Sequence, residues 1–107
     1  MAPPPAAQVK VLAFDVFGTV VDWHGSIARE VNALGLGVDG EKFASAWRAG
    51  YVPAMDRVRR GDLGWTKIDD LHRIILDSIL PDFGLQAMDE SRRRELNKVW
   101  HRLDPWP

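Results

Sequence analysis

Asp15 is the residue whose setting most suggests chemistry. It closes a short apolar run, Val9, Val11, Leu12, Ala13 and Phe14, and the segment Val16-Phe17-Gly18-Thr19 follows it. A run of branched and aromatic residues suits a strand covered on both faces, as in a parallel sheet. In open α/β sheets, ligands bind beyond the carboxyl ends of strands, which is where Asp15 falls. An acid buried there needs a partner or a task. The local residues leave two readings open. The carboxylate holds the turn by accepting backbone N–H groups near Gly18 and Thr19, or it is a nucleophile whose ester water later cleaves. A rigid strand end suits the second reading, because fixed attack geometry can remove roughly 7–11 kcal/mol of a barrier. Thr19 is placed to hydrogen-bond either the nucleophile or the turn. Arg48 is the second candidate. It follows Trp47 and sits one residue round from the stripe Phe43, Trp47 and Tyr51, which recur every four residues. On that evidence alone, Trp47 packs in the core and Arg48 extends its head into water.

Other chemistry-bearing residues read as structural. Asp22 is a local turn acid. His24, His72 and His101 fall in different predicted elements and do not compose a metal site. Arg57, Arg59 and Arg60, like Arg92, Arg93 and Arg94, read as solvated helix faces beside Asp56, Asp62 and Glu95. Trp47, Trp65, Trp100 and Trp106 read as core and hinge packing, with Trp65 a candidate to line a pocket.

The elements that must position Asp15 and Arg48 follow from the pattern. Residues 1–8 are rich in Pro and Ala and read as a flexible extension. Residues 9–22 read as a first core strand and its turn. Ile27, Val31 and Leu34 mark a helix with Ser26 as its cap and Gly35 as its stop. Asp39 caps a second helix, which Gly50 and Pro53 break; Ala54–Arg60 continues it as a short piece. Thr66 caps a third helix with Ile68, Leu71, Ile75 and Ile79 inward, and Pro81 ends it. A last helix spans about Asp89–Leu103, and residues 104–107 lead out of it. One strand with four or five helices is an unbalanced inventory, since a lone strand cannot satisfy its backbone groups.

Composition narrows the function classes. The 107 residues suit one domain, and the 46% apolar share is ordinary. A formal net charge of -1 gives no reason to expect nucleic acid or an acidic membrane surface as partner. No cysteine is present, which excludes disulfides, thiolate metal sites and a cysteine nucleophile, and is compatible with the cytoplasm. The N-terminus lacks the pattern of a signal peptide, and no apolar run approaches the roughly 18 residues of a bilayer span, so a soluble protein is expected.

The stretch Phe14-Asp15-Val16-Phe17-Gly18-Thr19-Val20-Val21-Asp22 resembles the first motif of the haloacid dehalogenase superfamily: an apolar strand ending in Asp, a variable residue, a discriminating residue, then Gly-Thr. In the superfamily's phosphatases the discriminating residue is a second Asp, a general acid that also helps place magnesium. Here it is Phe17, which matches the L-2-haloacid dehalogenase (type II) branch, where an aromatic residue, more often tyrosine, stands there. A halide leaving group needs no protonation. The same branch carries a Trp-Arg pair in its cap at a similar distance from the nucleophile, as Trp47-Arg48 does here, and its arginine accepts the departing halide. A cation walled by aromatics is poorly screened from such an anion.

The resemblance implies an α/β fold by family, with a Rossmann-like core and a helical cap. In this chain it implies a mostly α part: the first core strand and, over residues 23–103, the cap, with 104–107 returning toward a core that the sequence does not contain. It implies Asp15 as nucleophile, and Arg48, Phe17 and Thr19 as halide- and substrate-binding residues. It implies a small 2-haloacid substrate and no metal or organic cofactor. The family's Ser/Thr-Asn motif, its lysine and its distal acidic motif lie outside the match. A phosphatase that tolerates Phe17 is the alternative within enzymes. The alternative outside them is a truncated or split fragment that needs a homodimeric or complementing partner for the rest of the sheet. Such a chain is expected to expose Val9–Phe14 and to self-associate.

Overall fold

A computed structural model describes residues 9–107; the expected extension at 1–8 lies outside the described residues. In chain order the elements are β1 (Val21–Asp22), α1 (Trp23–Ala33), α2 (Gly40–Ala49), α3 (Tyr51–Arg59), α4 (Ile68–Ile79), α5 (Glu90–Asn97) and β2 (Asp104–Pro105). Two 3₁₀ turns, Leu80–Phe83 and Lys98–His101, extend α4 and α5. The chain is thus mostly helical, with one small antiparallel sheet in which Val21 lies opposite Pro105 and Asp22 opposite Asp104.

Helix ends follow local chemistry where one side chain decides them. The Asp39 carboxylate accepts from the N–H groups of Glu41 and Lys42, and Asp89 accepts from Arg92, so both helices start where the sequence places them. The first helix starts four residues earlier than Ser26 suggests. Asp22 caps it by accepting from the Gly25 N–H at 2.9 Å. Ser26 is instead buried, and its hydroxyl accepts from the backbone N–H of Asp104 at 2.9 Å. Thr66 does not cap α4: its hydroxyl donates to the Gly64 carbonyl, Lys67 takes the cap position, and Asp69 and Asp70 supply negative charge to the first turn. Gly50 separates α2 from α3, and Pro53 falls in the first turn of α3, where its missing N–H costs no helical bond. The final helix is shorter than its stripe predicts, tightening into the 3₁₀ turn after Asn97.

Val9–Val16 does not form the expected strand. The only sheet among the described residues is the two-residue pair above, so this segment has no neighbouring strand to complete its ladder. Its apolar side chains are exposed, Phe14 by 77%.

The core lies between the helices. Ile27 and Val31 of α1, Phe43, Ala44 and Trp47 of α2, Leu71, Ile75 and Leu76 of α4, and Leu96, Val99 and Trp100 near the end of the chain form one buried cluster. Burying each large side chain stabilises the fold by about 1.5–3 kcal/mol. Salt bridges at the surface join the helices. Arg73 pairs with Asp77 and Glu90, which raises the guanidinium pKa and lowers that of the Glu90 carboxyl. Arg93 bonds Asp77 and the carbonyls of Met88 and Gln86.

At Gly50, the residue that ends α2, the chain passes close to α4: an added Cβ would stand 2.4 Å from Cγ2 of Ile75. Gly50→Ala should therefore lose about 1–3 kcal/mol in urea unfolding through overpacking. Ile75→Leu, which removes the β-methyl, should recover part of that loss; an unchanged midpoint for Gly50→Ala would contradict the close contact.

Candidate active site

The turn after Val16 is closed by its own backbone and by the end of the chain. Val16 carbonyl accepts from Val20 and Val21, the Gly18 N–H donates to Val21 carbonyl, and Gly18 adopts φ of 88°, a left-handed conformation that a side chain would strain. Trp106 reaches across from the far end of the sequence. Its indole N–H donates to the Gly18 carbonyl at 3.1 Å, and its backbone N–H to the Val20 carbonyl at 3.3 Å. The Thr19 hydroxyl donates to Oδ2 of Asp15 at 2.8 Å. Asp15 is thus exposed, with Thr19 as its hydrogen-bond partner.

Phe17 points the other way, into the helices. Its ring meets Trp100 edge-on at 5.6 Å and His72 at 6.4 Å. Those two rings stack on each other with centroids 4.0 Å apart and planes 17° apart, and Trp47 packs edge-on against Trp100 at 5.5 Å. Trp47 also donates its indole N–H to the His72 carbonyl at 2.9 Å. Arg48, the next residue, is half-buried with its guanidinium over the Tyr51 ring, 4.6 Å from the centroid.

Arg48 thus lies over Tyr51, whereas Phe17 packs against His72. Only 3% of it is exposed, and burial pushes its imidazole pKa down from 6.5 to about 4. The Asp69 carboxylate pulls it up, while the charges of Arg48 and His101 push it further down. Asp15 and Thr19 form a second pair, and no ion pair joins Asp15 to Arg48 among the described residues. Trp65, the candidate to line a pocket, is 84% exposed. The histidines stand apart as expected: His24 lies 3.1 Å from the Ser45 hydroxyl and His101 2.8 Å from Asp69.

The sequence did not disclose His72 and Trp100 as neighbours of the candidate site. Each looks like ordinary helix packing when read along its own element. The Trp47 bond to His72 and the stacking of Trp100 on His72, both made between elements, bring them together.

Two solved structures resemble this chain closely, both L-2-haloacid dehalogenases, one of them described as defluorinating. They show 44% and 40% identity with TM-scores of 0.78 and 0.80. Each match covers 87% of this chain and 40% of the other. Over that length the chain is similar to the L-2-haloacid dehalogenase branch of the haloacid dehalogenase superfamily. It spans about 40% of the length of those relatives. A third structure, an L-2-haloacid dehalogenase from Xanthobacter autotrophicus with chloropropionic acid covalently bound, shares the fold at a TM-score of 0.70 and 22% identity. No protein-family model and no curated protein matches the sequence.

The neutral, buried His72 gives a signed pH dependence. The unfolded chain takes up a proton at this residue near pH 6.5, but the folded chain only near pH 4. Stability should therefore fall as pH drops from about 6.5 to about 4, by roughly 3 kcal/mol in all, and level off below. Urea unfolding of the parent and of His72→Asn across this window should differ by that slope; parallel profiles would contradict it.

Proposed function

We propose that this chain carries the nucleophile and the helical cap of a hydrolase that converts short 2-haloacids to 2-hydroxy acids. A carboxylate oxygen of Asp15 attacks C2 of the substrate, the carbon–halogen bond breaks, and the halide departs with its electron pair toward Arg48. Water then attacks the carboxyl carbon of the Asp15 ester and gives up a proton to solvent. The acyl carbon–oxygen bond breaks, and the 2-hydroxy acid leaves with one of the former Asp15 oxygens.

The observation that carries this reading is the divergence of the Asp15 turn. Thr19 orients the exposed carboxylate, while Phe17, two residues on, turns into the aromatic cluster beside Arg48. A phosphatase would keep a second carboxylate at Phe17, and the nearest later acid, Asp22, is spent on capping α1. Likeness at 44% identity to an L-2-haloacid dehalogenase, and the covalently bound chloropropionic acid in a relative of the same fold, support the same chemistry. The chemistry assigned to the site calls for neither metal nor organic cofactor.

The same reading gives Val9–Val16 a place in a larger sheet, supplied by the same polypeptide or by a second chain, with residues 23–103 as the cap over it. The row of exposed apolar side chains supports this. A reducing cytoplasm suits a chain without cysteine. No helix among the described residues is long and apolar enough to cross a membrane.

A chimera tests the assignment: residues 9–107 replace the matching segment of the 44%-identical dehalogenase. It should release halide from 2-chloropropionate, and Asp15→Asn within it should lower the rate at least about a thousandfold, as expected for loss of a nucleophile. Turnover by Asp15→Asn at the parent rate, or a folded but inert parent chimera, would overturn the reading.

A further inference from the structure

Trp106 is 51% exposed, yet both of its N–H groups are bonded to the turn that follows Asp15. Its backbone N–H donates to the Val20 carbonyl at 3.3 Å and its indole N–H to the Gly18 carbonyl at 3.1 Å. A ring that leaves half its surface in water gains little from packing, so these bonds carry its use here.

The chain around Trp106 holds it ready for them. Pro105 and Pro107 flank it and have no N–H, so Trp106 supplies the backbone donor of that stretch. A residue before proline is confined to extended backbone, which narrows the conformations from which the indole is presented. Two residues back, Asp104 is tied to α1. Its N–H donates to the Ser26 hydroxyl at 2.9 Å, and Arg29 pairs with its carboxylate at 3.1 Å.

The indole bond falls at the part of the turn that most needs it. Val20 and Val21 donate to the Val16 carbonyl, and Gly18 donates to the Val21 carbonyl. None of these bonds takes the Gly18 carbonyl, and Gly18, at φ of 88°, is the residue of the turn with the widest conformational freedom. That carbonyl belongs to the peptide joining Gly18 to Thr19. Before it stands Phe17, whose ring packs on Trp100 and His72. After it stands Thr19, whose hydroxyl donates to Asp15 at 2.8 Å.

We propose that Trp106 is a positioning residue for Asp15: its indole N–H fixes the Gly18–Thr19 peptide, and with it the Thr19 hydroxyl that aims the carboxylate. The inference rests on the proposed dehalogenase reading and adds a residue to it from the far end of the sequence. Trp106 acts on attack geometry and not on substrate affinity, so its loss lowers kcat and leaves KM in place.

Trp106→Phe, which keeps an aromatic ring and loses the donor, tests this in two measurements. In the 107-residue chain, hydrogen exchange followed by NMR should show the Gly18, Val20 and Val21 amides exchanging about tenfold faster, with the amides of α2 and α4 unchanged. In the dehalogenase chimera, kcat for 2-chloropropionate should fall about tenfold while KM stays within about twofold, the scale of one lost hydrogen bond. Trp106→Gln, whose amide N–H has a similar reach, should recover part of kcat. Turn amides that exchange at the parent rate, or a loosened turn with kcat intact, would overturn this inference alone. A folded but inert parent chimera would overturn the dehalogenase reading, and with it the role of Trp106 in turnover, even where the turn amides are loosened.

Discussion

The bond from the Trp47 indole to the His72 carbonyl is the contact on which the arrangement of this chain most depends. It is made in the core, where a competing water is absent, so losing it leaves a buried donor unpaired. It fixes the height of α2 along α4. That register sets Gly50 against Ile75, leaves room for Trp100 to stack on His72, and carries Arg48 to the margin of the same cluster. The helices thus form a scaffold with an aromatic interior.

The other half of the site is mounted on the two chain ends rather than on the helices. Asp15 is held through Thr19, the turn through Trp106, and β1 through β2. Ser26 bonds Asp104 from inside α1, and Arg29 pairs with Asp104 at 3.1 Å. These contacts are mostly exposed, and ion pairs at the surface are worth at most about 1 kcal/mol each. The turn that carries Asp15 is therefore tied less firmly than the helices are to one another. Phe17 also links them, because it belongs to the turn and packs among the helices.

What could be read from residues alone follows a physical division. The caps at Asp39 and Asp89, the break at Gly50 and the inward face of α4 at Leu71, Ile75 and Ile79 depend on contacts within a few residues, and these were legible; Ile68, expected inward, is 43% exposed at the start of the helix. Asp22 and Ser26 are both good cap types four residues apart. Only the distant N–H of Asp104, which claims Ser26, decides between them. Val9–Val16 has the composition of a strand, but a strand exists only when a neighbour completes its ladder. Asp15, Phe17 and Thr19 announced themselves through one short motif. His72 and Trp100 did not, because their rings are brought together from separate elements.

The central claim is that Asp15 forms a covalent ester with a 2-haloacid while Phe17 and Arg48 handle the leaving halide. Rapid acid quenching of the dehalogenase chimera during turnover of 2-chloropropionate, followed by proteolysis and mass spectrometry, tests it most directly. The account predicts a propionate adduct on the peptide containing Asp15 and on no other, absent from Asp15→Asn. Halide release at full rate with that peptide unmodified, or an adduct on a different residue, would contradict it.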